Sequence, residues 1–354
     1  MSKKISVSLI FGGRSAEHEI SLISACAIRE NLDKARFAVR SVYITRTGLW
    51  KPVAAPSTNI PALERGPAFS FLPWEAGAPV REAGSDIYFP VLHGPFGEDG
   101  TIQGLLELAG VPYVGAGVAG SALGMDKAAA KSVLRDHGLP VVPSIAVTET
   151  DWRTGEAAIV RRVRRSLPFP VFVKPSNLGS SVGITKVAGP GGLPAALTLA
   201  FRYDATALVE KGIAGRELEC GVLGNGSPEA SLAGEVIPFR EFYDYEDKYI
   251  DGRTTFVVPA ELPARTMAKV RGLAVAAFRA LGGAGMARVD FFLEKGMGRL
   301  YVNELNTIPG FTEISMYPKL WAASGLPFPK LLERLIELGF ERHRGRKACV
   351  ERVR

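Results

Sequence analysis

Apolar and polar residues alternate with period two through "ISVSLIF" (5–11), and the period then lengthens to that of a helix in "AEHEISLISACAIRENL" (16–32). Strand side chains change face at every residue, whereas helical ones return to a face every three or four, so the two stretches predict a strand followed by a helix. The same kinds of segment continue through "FAVRSVYI", "DIYFPVL" and "TIQGLLELAG" over the first 120 residues. Strands that alternate with helices predict a mostly parallel sheet. Residues 51–84 are rich in Pro, Ala and Gly and predict a long connection, with a short hairpin near Trp50.

The pattern then changes. A helix is predicted at about Asp126 to His137, followed by "PVVPSIAV", a helix over Thr154 to Ser166, "FPVFVKP", a Gly/Ser loop, "VGITKV", a further helix and "ATALVEK". Strands that return across so short a loop predict an antiparallel α+β unit. After Glu210-Lys211 come "RELECGVLG", "EASLAGEVIPF", a helix from Ala264 to Leu281, "GMARVDFFLE" and "RLYVNELN", a third region of long antiparallel strands. The expected class is α/β and α+β: an N-terminal Rossmann-like parallel-sheet domain over residues 1–121, a central domain over 122–211 and a third over 212–345. Residues 346–354 are expected to be a disordered basic tail.

Composition narrows the class. A chain of 354 residues with 47% hydrophobic content is sized for two or three domains. It contains no run of about 18 apolar residues, and "MSKKISVSLIFGGRS" lacks a cleavable signal pattern, so the expected compartment is cytoplasmic, with no membrane partner. Cys26, Cys220 and Cys349 stand at unrelated spacings that support neither a disulfide framework nor a zinc site. The net charge of +7 invites a nucleic-acid reading, but the last fourteen residues hold six Lys and Arg against two Glu. "RRVRR" (161–165) reads as the solvated face of a helix, and no aromatic-interleaved basic sheet or helix-turn-helix pattern accompanies it, so no nucleic-acid partner is expected.

Candidate chemistry lies elsewhere. In "VKPSNLGSSVGITKV" an apolar strand ends in Lys174 and a loop follows with Gly179, Ser180, Ser181 and Gly183, whose N–H and hydroxyl groups can ring an anion. Glycines serving only a hairpin turn would look similar; the lysine at the strand end argues for the anion. The loop is no Walker A motif, since no GK[ST] follows, and "FGGRSAE" does not match the G-x-G-x-x-G of a dehydrogenase. Lys127 stands in the first turn of a predicted helix, where a surface charge is the bland reading. Together with Lys174, the serine loop, Glu210-Lys211 and Glu217 it makes a nucleotide pocket. Glu304 and Asn306, two apart on a strand, point the same way, and Asp290 ends the preceding strand. A polar strand end before a turn carries the same pattern, but three oxygen donors from two neighbouring strands suit magnesium bound between protein and phosphates. "TIPGFT" then turns the chain so that the Gly310 N–H faces the reacting centre.

These motifs resemble the ATP-grasp superfamily and, within it, the D-alanine–D-alanine ligases, from Ser6 to about Phe340. The matching segments are "FGGRSAEHEISL", "VLHGPFGEDGTIQGLLEL", "VGAGVAGSALGMDK", "VKPSNLGSSVGITKV", "LVEKGIAGRELE", "EFYDYEDKY", "ARVDFF" and "VNELNTIPGFTEISMYP", in the family's order. The resemblance implies an ATP-grasp fold and the ATP-dependent joining of two D-alanines through a D-alanyl phosphate, for peptidoglycan precursors. It puts Lys127, Lys174, Ser180, Ser181 and Lys248 on phosphates, and Glu210, Lys211, Ile213, Glu217 and Phe242 around the adenosine. It puts Asp290, Glu304 and Asn306 on two Mg²⁺ ions, with Mn²⁺ as the alternative.

For the amino acids, the resemblance places Glu17 on the first ammonium with His93 nearby, Arg288 and the Gly310 N–H on the developing oxyanion, and Ser315 and Met316 on the second carboxylate. Glu17 at a helix start is favourable in its own right, and His93 equally fits a structural role. "REFYDYEDKYIDGRTTF" is implied to be a lid, with Tyr249 bonding Ser180 and Ser180 bonding Glu17, that keeps water from the acyl phosphate. Relatives that use D-lactate depart from the pattern in this lid; "FYDYEDKY" with Tyr249 in place predicts D-alanine as second substrate, with D-lactate or D-serine as the alternatives. The family is commonly dimeric through its first domain, so a homodimer is expected.

Overall fold

A computed structural model describes residues 3–68, 85–179, 182–238 and 254–351, with side chains through residue 346. Its strands form three sheets. In the first, β1 (Ile5–Gly12) lies parallel to both its neighbours, β2 (Phe37–Ile44) and β4 (Ile87–Val91). The short β3 (Trp50–Val53) adds the antiparallel edge expected of the hairpin near Trp50. Val7, Leu9 and Phe11 of β1 meet Leu22, Ala25 and Ile28 of the helix His18–Asn31 on one face. On the other face Ile10 meets Ile102 and Leu106 of the helix Thr101–Leu108. Covered on both faces, β1 is buried from Val7 to Gly12 although its first half alternates in sequence.

The second sheet has the order β5-β8-β6-β7, from β5 (Ser144–Thr148), β6 (Val171–Pro175), β7 (Thr185–Val187) and β8 (Thr206–Lys211), with every pairing antiparallel. Its helix spans Glu149–Ser166, five residues earlier than the periodicity predicts. Thr148 caps the true start through its hydroxyl on the Asp151 N–H, and Gly155 leaves helical angles (φ −153°, ψ 42°), which masks the first turn in the pattern.

The third sheet runs β11-β10-β9-β12-β13, from β9 (Gly215–Gly224), β10 (Glu229–Ile237), β11 (Thr255–Val257), β12 (Gly285–Glu294) and β13 (Leu300–Asn306), again antiparallel. Leu218, Cys220 and Val222 of β9 and Ala287, Val289 and Phe291 of β12 face a core shared with the helix Ala264–Ala280. The alternate residues of both strands face a cleft.

The last helix spans Phe328–Glu351. Leu331, Leu332, Leu335 and Ile336 join Val7, Leu9 and Phe89 of the first sheet and Leu223 and Met286 of the third in one core, so the helix lies against both. The segment expected to be a disordered tail from residue 346 continues this helix to Glu351. Two of its basic residues, Arg342 and Arg346, reach the helix Thr101–Leu108. The Arg342 guanidinium lies 4.0 Å from the Tyr113 ring centroid and 3.2 Å from Glu107 Oε1, and Arg346 also pairs with Glu107. Among the described residues no helix is long and apolar enough to cross a membrane.

Candidate active site

The cleft wall made by the third sheet follows from strand register. Asp290 of β12 stands opposite Glu304 of β13 and Glu219 of β9, and Arg288 stands opposite Asn306. Strict alternation from buried Val302 would turn Glu304 into the core. The register shifts there, since Asp290 pairs with Glu304 while Phe291 pairs with Val302, leaving Asn303 as an extra residue. This β-bulge re-aims Glu304 and Asn306 at the cleft while Val302 and Leu305 both stay buried.

Charges on this wall hold one another. Arg288 forks onto Asp290, with Nε to Oδ1 and Nη2 to Oδ2 both at 2.7 Å, and its Nε is 3.1 Å from Glu219 Oε2. Burial opposes the guanidinium's charge, but Asp290 and Glu219 outweigh it and raise its pKa further. Asp290, Glu304 and Asn306 form an oxygen-only donor set of the kind magnesium takes. Among the described residues no three His, Cys, Asp or Glu side chains are grouped closely enough to chelate an ion by themselves. The donor set would suit an ion that draws a few ligands from protein and the rest from phosphates and water.

The lysines come from the second sheet and from the helix Lys127–Asp136, which buries Ala130 and Leu134 in the core of the third. Asp126 caps the helix Lys127–Asp136 by accepting the N–H groups of Ala128 and Ala129, and the Ser176 hydroxyl donates to Asp126 at 2.6 Å. That fixes the helix start beside the end of β6, where Lys174 stands. Lys127 Nζ donates to the Leu178 carbonyl at 2.7 Å and lies 3.7 Å from Glu304 Oε2. One turn further on, Lys131 is 1% exposed; its Nζ lies 2.6 Å from Glu210 Oε1 and donates to the Asn303 carbonyl at 2.8 Å. Lys174 pairs with the other Glu210 oxygen. Burial opposes ionisation of Glu210, but its two ammonium partners hold its carboxyl below the usual range. Glu210 is therefore a counter-ion to two lysines at the same cavity that Lys211, Ile213 and Glu217 line.

The opposite wall comes from the first unit. Glu17 stands just ahead of the first helix, and its Oε2 would lie 2.7 Å from a Cβ on Gly94 and 2.6 Å from one on Gly179. Glycine at both positions lets the loop after β4 and the start of the Gly/Ser loop close on one carboxylate. His93 is 5% exposed, with Nδ1 3.0 Å from the Ile308 carbonyl oxygen and Nε2 3.2 Å from Ser24 Oγ, so protein groups occupy both ring nitrogens. Ser315 Oγ accepts the Thr312 N–H at 3.0 Å and would touch a Cβ on Gly310, which keeps that turn tight at the start of the helix Met316–Ala323.

One cavity thus gathers Glu17, His93, Lys127, Lys174, Arg288, Glu304, Asn306, Gly310, Ser315 and Met316, and the adjoining one gathers Glu210, Lys211, Ile213, Glu217 and Asp290. Ser180, Ser181, Phe242, Lys248 and Tyr249 lie outside the described residues. Sequence reasoning missed Lys131, Glu219, Glu98 and Ser24. Lys131 was signalled by the i,i+4 spacing of "KAAAK" and Glu219 by its place two residues after Glu217; Glu98 and Ser24 carried no signal of their own.

Three sheets around a cleft with two lysines on one wall and a carboxylate-bearing sheet on another define an ATP-grasp protein. Family models for the D-ala D-ala ligase N-terminus and the D-ala D-ala ligase C-terminus match residues 6–116 and 133–337. The chain belongs to the D-alanine–D-alanine ligase family. It is 52% identical over 341 residues to a D-alanine–D-alanine ligase of Solibacter usitatus, covering 96% of this chain and 97% of that one. It is 48% identical to one from Thermoanaerobacter sp., with 97% and 98% covered. The D-alanine–D-alanine ligase of Coxiella burnetii superposes with a TM-score of 0.82 at 37% identity, covering 99% and 98%. VanG D-Ala:D-Ser ligase from Enterococcus faecalis gives 0.83 at 34%, covering 95% and 100%.

Proposed function

We propose that this chain joins two D-alanines at the expense of ATP, in the cytoplasm and as a homodimer, to supply a peptidoglycan precursor. The observation that carries the reading is the bulge in β13, which sets Glu304 and Asn306 beside Asp290 and within reach of Lys127. Phosphoryl transfer needs charge neutralisation and positioning above all. Lys127 and Lys174 take phosphate oxygens, with Ser180, Ser181 and Lys248 completing that ring. Lys211, Ile213, Glu217 and Phe242 line the adenosine site. Asp290, Glu304 and Asn306 hold two Mg²⁺ ions, which when bound supply charge neutralisation for the transferring phosphoryl group.

Glu17 holds the ammonium of the first D-alanine where the Gly/Ser loop meets the first unit. An oxygen of that D-alanine's carboxylate attacks the γ-phosphorus, the bond to the β,γ-bridging oxygen breaks, and ADP leaves an acyl phosphate. The deprotonated amine of the second D-alanine attacks the carbonyl; Arg288 and the Gly310 N–H meet the oxyanion, and collapse forms the peptide bond and expels phosphate. Ser315 and the N–H of Met316, at a helix start, hold the second carboxylate.

The test is phosphate release from Mg·ATP with D-alanine, L-alanine, D-lactate with D-alanine, and D-serine with D-alanine, with mass detection of the product. Release that requires D-alanine alone and yields the D,D-dipeptide is expected. A preference for D-lactate or D-serine would overturn the second-substrate assignment, and no release with any of them would overturn the ligase reading.

A further inference from the structure

The turn after β13 is gripped through its backbone by side chains of the first unit. Ile308 N–H is shared between Glu98 Oε1 and Asn306 Oδ1, both at 3.2 Å, and the other Glu98 oxygen accepts the Gly94 N–H at 2.7 Å. The Ile308 carbonyl faces His93 Nδ1 at 3.0 Å, and Phe311 N–H donates to Ser24 Oγ at 3.2 Å. A carbonyl only accepts, so His93 Nδ1 carries a proton; in the neutral ring Nε2 then accepts, and Ser24 donates to it. Burial lowers the His93 pKa and favours that neutral form. Every proton in the chain from Ile308 through His93 and Ser24 to Phe311 is thereby placed. All three side chains are buried, with Ser24 at 0%, His93 at 5% and Glu98 at 7% exposure. Between the two anchored residues lies Gly310, whose N–H meets no acceptor among the described residues.

We propose that Ser24, His93 and Glu98 are positioning residues that aim the Gly310 N–H at the oxyanion of the acyl-transfer step by fixing Ile308 and Phe311 on either side of it. The inference rests on the ligase reading above, and gives His93 a role through the turn rather than on substrate. A donor set on a rigid backbone is effective because it needs no reorientation as charge develops. The three side chains supply that rigidity from a different part of the chain, and the Gly94 N–H bond to Glu98 ties the same clasp to the loop packed against Glu17.

The prediction concerns the balance of two steps. In ATP labelled with ¹⁸O at the β,γ-bridge, reversible phosphoryl transfer to D-alanine scrambles the label, whereas dipeptide appearance reports acyl transfer. Ser24→Ala and His93→Ala should lower kcat for dipeptide about tenfold to a hundredfold, keep KM for ATP within about twofold, and raise scrambling per dipeptide formed about tenfold. His93→Asn, whose amide N–H replaces the donor to Ile308, should recover part of the loss. Glu98→Gln, which keeps the shape and one acceptor, reads the same ratio where an alanine variant does not fold. A folded variant in which both steps fall together, or in which kcat stays within twofold of the unmodified chain, would overturn the proposal. Failure of the unmodified chain to scramble label or form dipeptide overturns the ligase reading instead, so the two failures are told apart.

Discussion

On the wall built by β9 and β12, and at the ends of β6 and β8 beside it, charged side chains are held by other charges: Arg288 lies on Asp290 and Glu219, and Glu210 between Lys131 and Lys174. On the facing wall, Ser24, His93 and Glu98 are held by backbone N–H and C=O groups instead. Charges paired with charges can exchange partners when an anionic nucleotide and its cations arrive. Side chains bonded to backbone cannot shift without moving the chain. The first wall is thus suited to receive phosphate, and the second to hold the geometry at the carbon that reacts.

The largest effect should come from the first wall. Asp290→Asn removes the charge of a proposed metal ligand and weakens the Arg288 fork together, and should reduce dipeptide formation about a hundredfold or more, measured under saturating Mg·ATP and D-alanine. A loss under threefold would mean that the charges of this face only hold the sheet.

Lys127 and Lys131 sharpen the contrast, being one turn apart on one helix. Lys131→Met leaves Glu210 buried with a single cation, and should lower stability on the order of 3 kcal/mol, read as a fall in melting temperature. Lys127, with a side chain 11% exposed and a longer contact to Glu304, is placed to meet ligand. Lys127→Met should change stability by about 1 kcal/mol or less while raising KM for ATP about tenfold. If the two substitutions shift melting equally, the division between structural and ligand-facing lysines fails.

Much of this was legible in the chain. The order of strand-like and helix-like segments separated the parallel sheet from the antiparallel ones, and the spacing of Glu304 and Asn306 placed both on one face. What periodicity could not show is which face, because the choice depends on one extra residue, Asn303, that no local composition marks. The end of the chain was misread for a related reason. Its basic residues read as solvated until Glu107, far away in sequence, is brought beside Arg342 and Arg346. Ser24 is invisible for the opposite reason. A serine in an apolar helical stripe looks like a small core residue, and only the fold reveals that it spans His93 and Phe311.

The smallest effect expected is a pH dependence from the second wall. Burial, and then the charge of Glu17, push the Glu98 carboxyl up from 4.5 to about 8. The unfolded chain releases this proton near the ordinary value while the folded chain keeps it, so the folded form binds more protons across the interval. Stability from this group is therefore complete below about 4.5 and is lost as the pH rises through about 8. Glu98→Gln cannot ionise and lacks that loss. Its melting temperature relative to the unmodified chain should climb by a few degrees between pH 5 and pH 8, the range that these values bracket. A difference that stays flat across the range would mean that Glu98 is already ionised at pH 5, held so by the N–H groups of Gly94 and Ile308. The second wall would then carry a full charge, and the contrast between the two walls would rest on the partners of their polar groups rather than on charge.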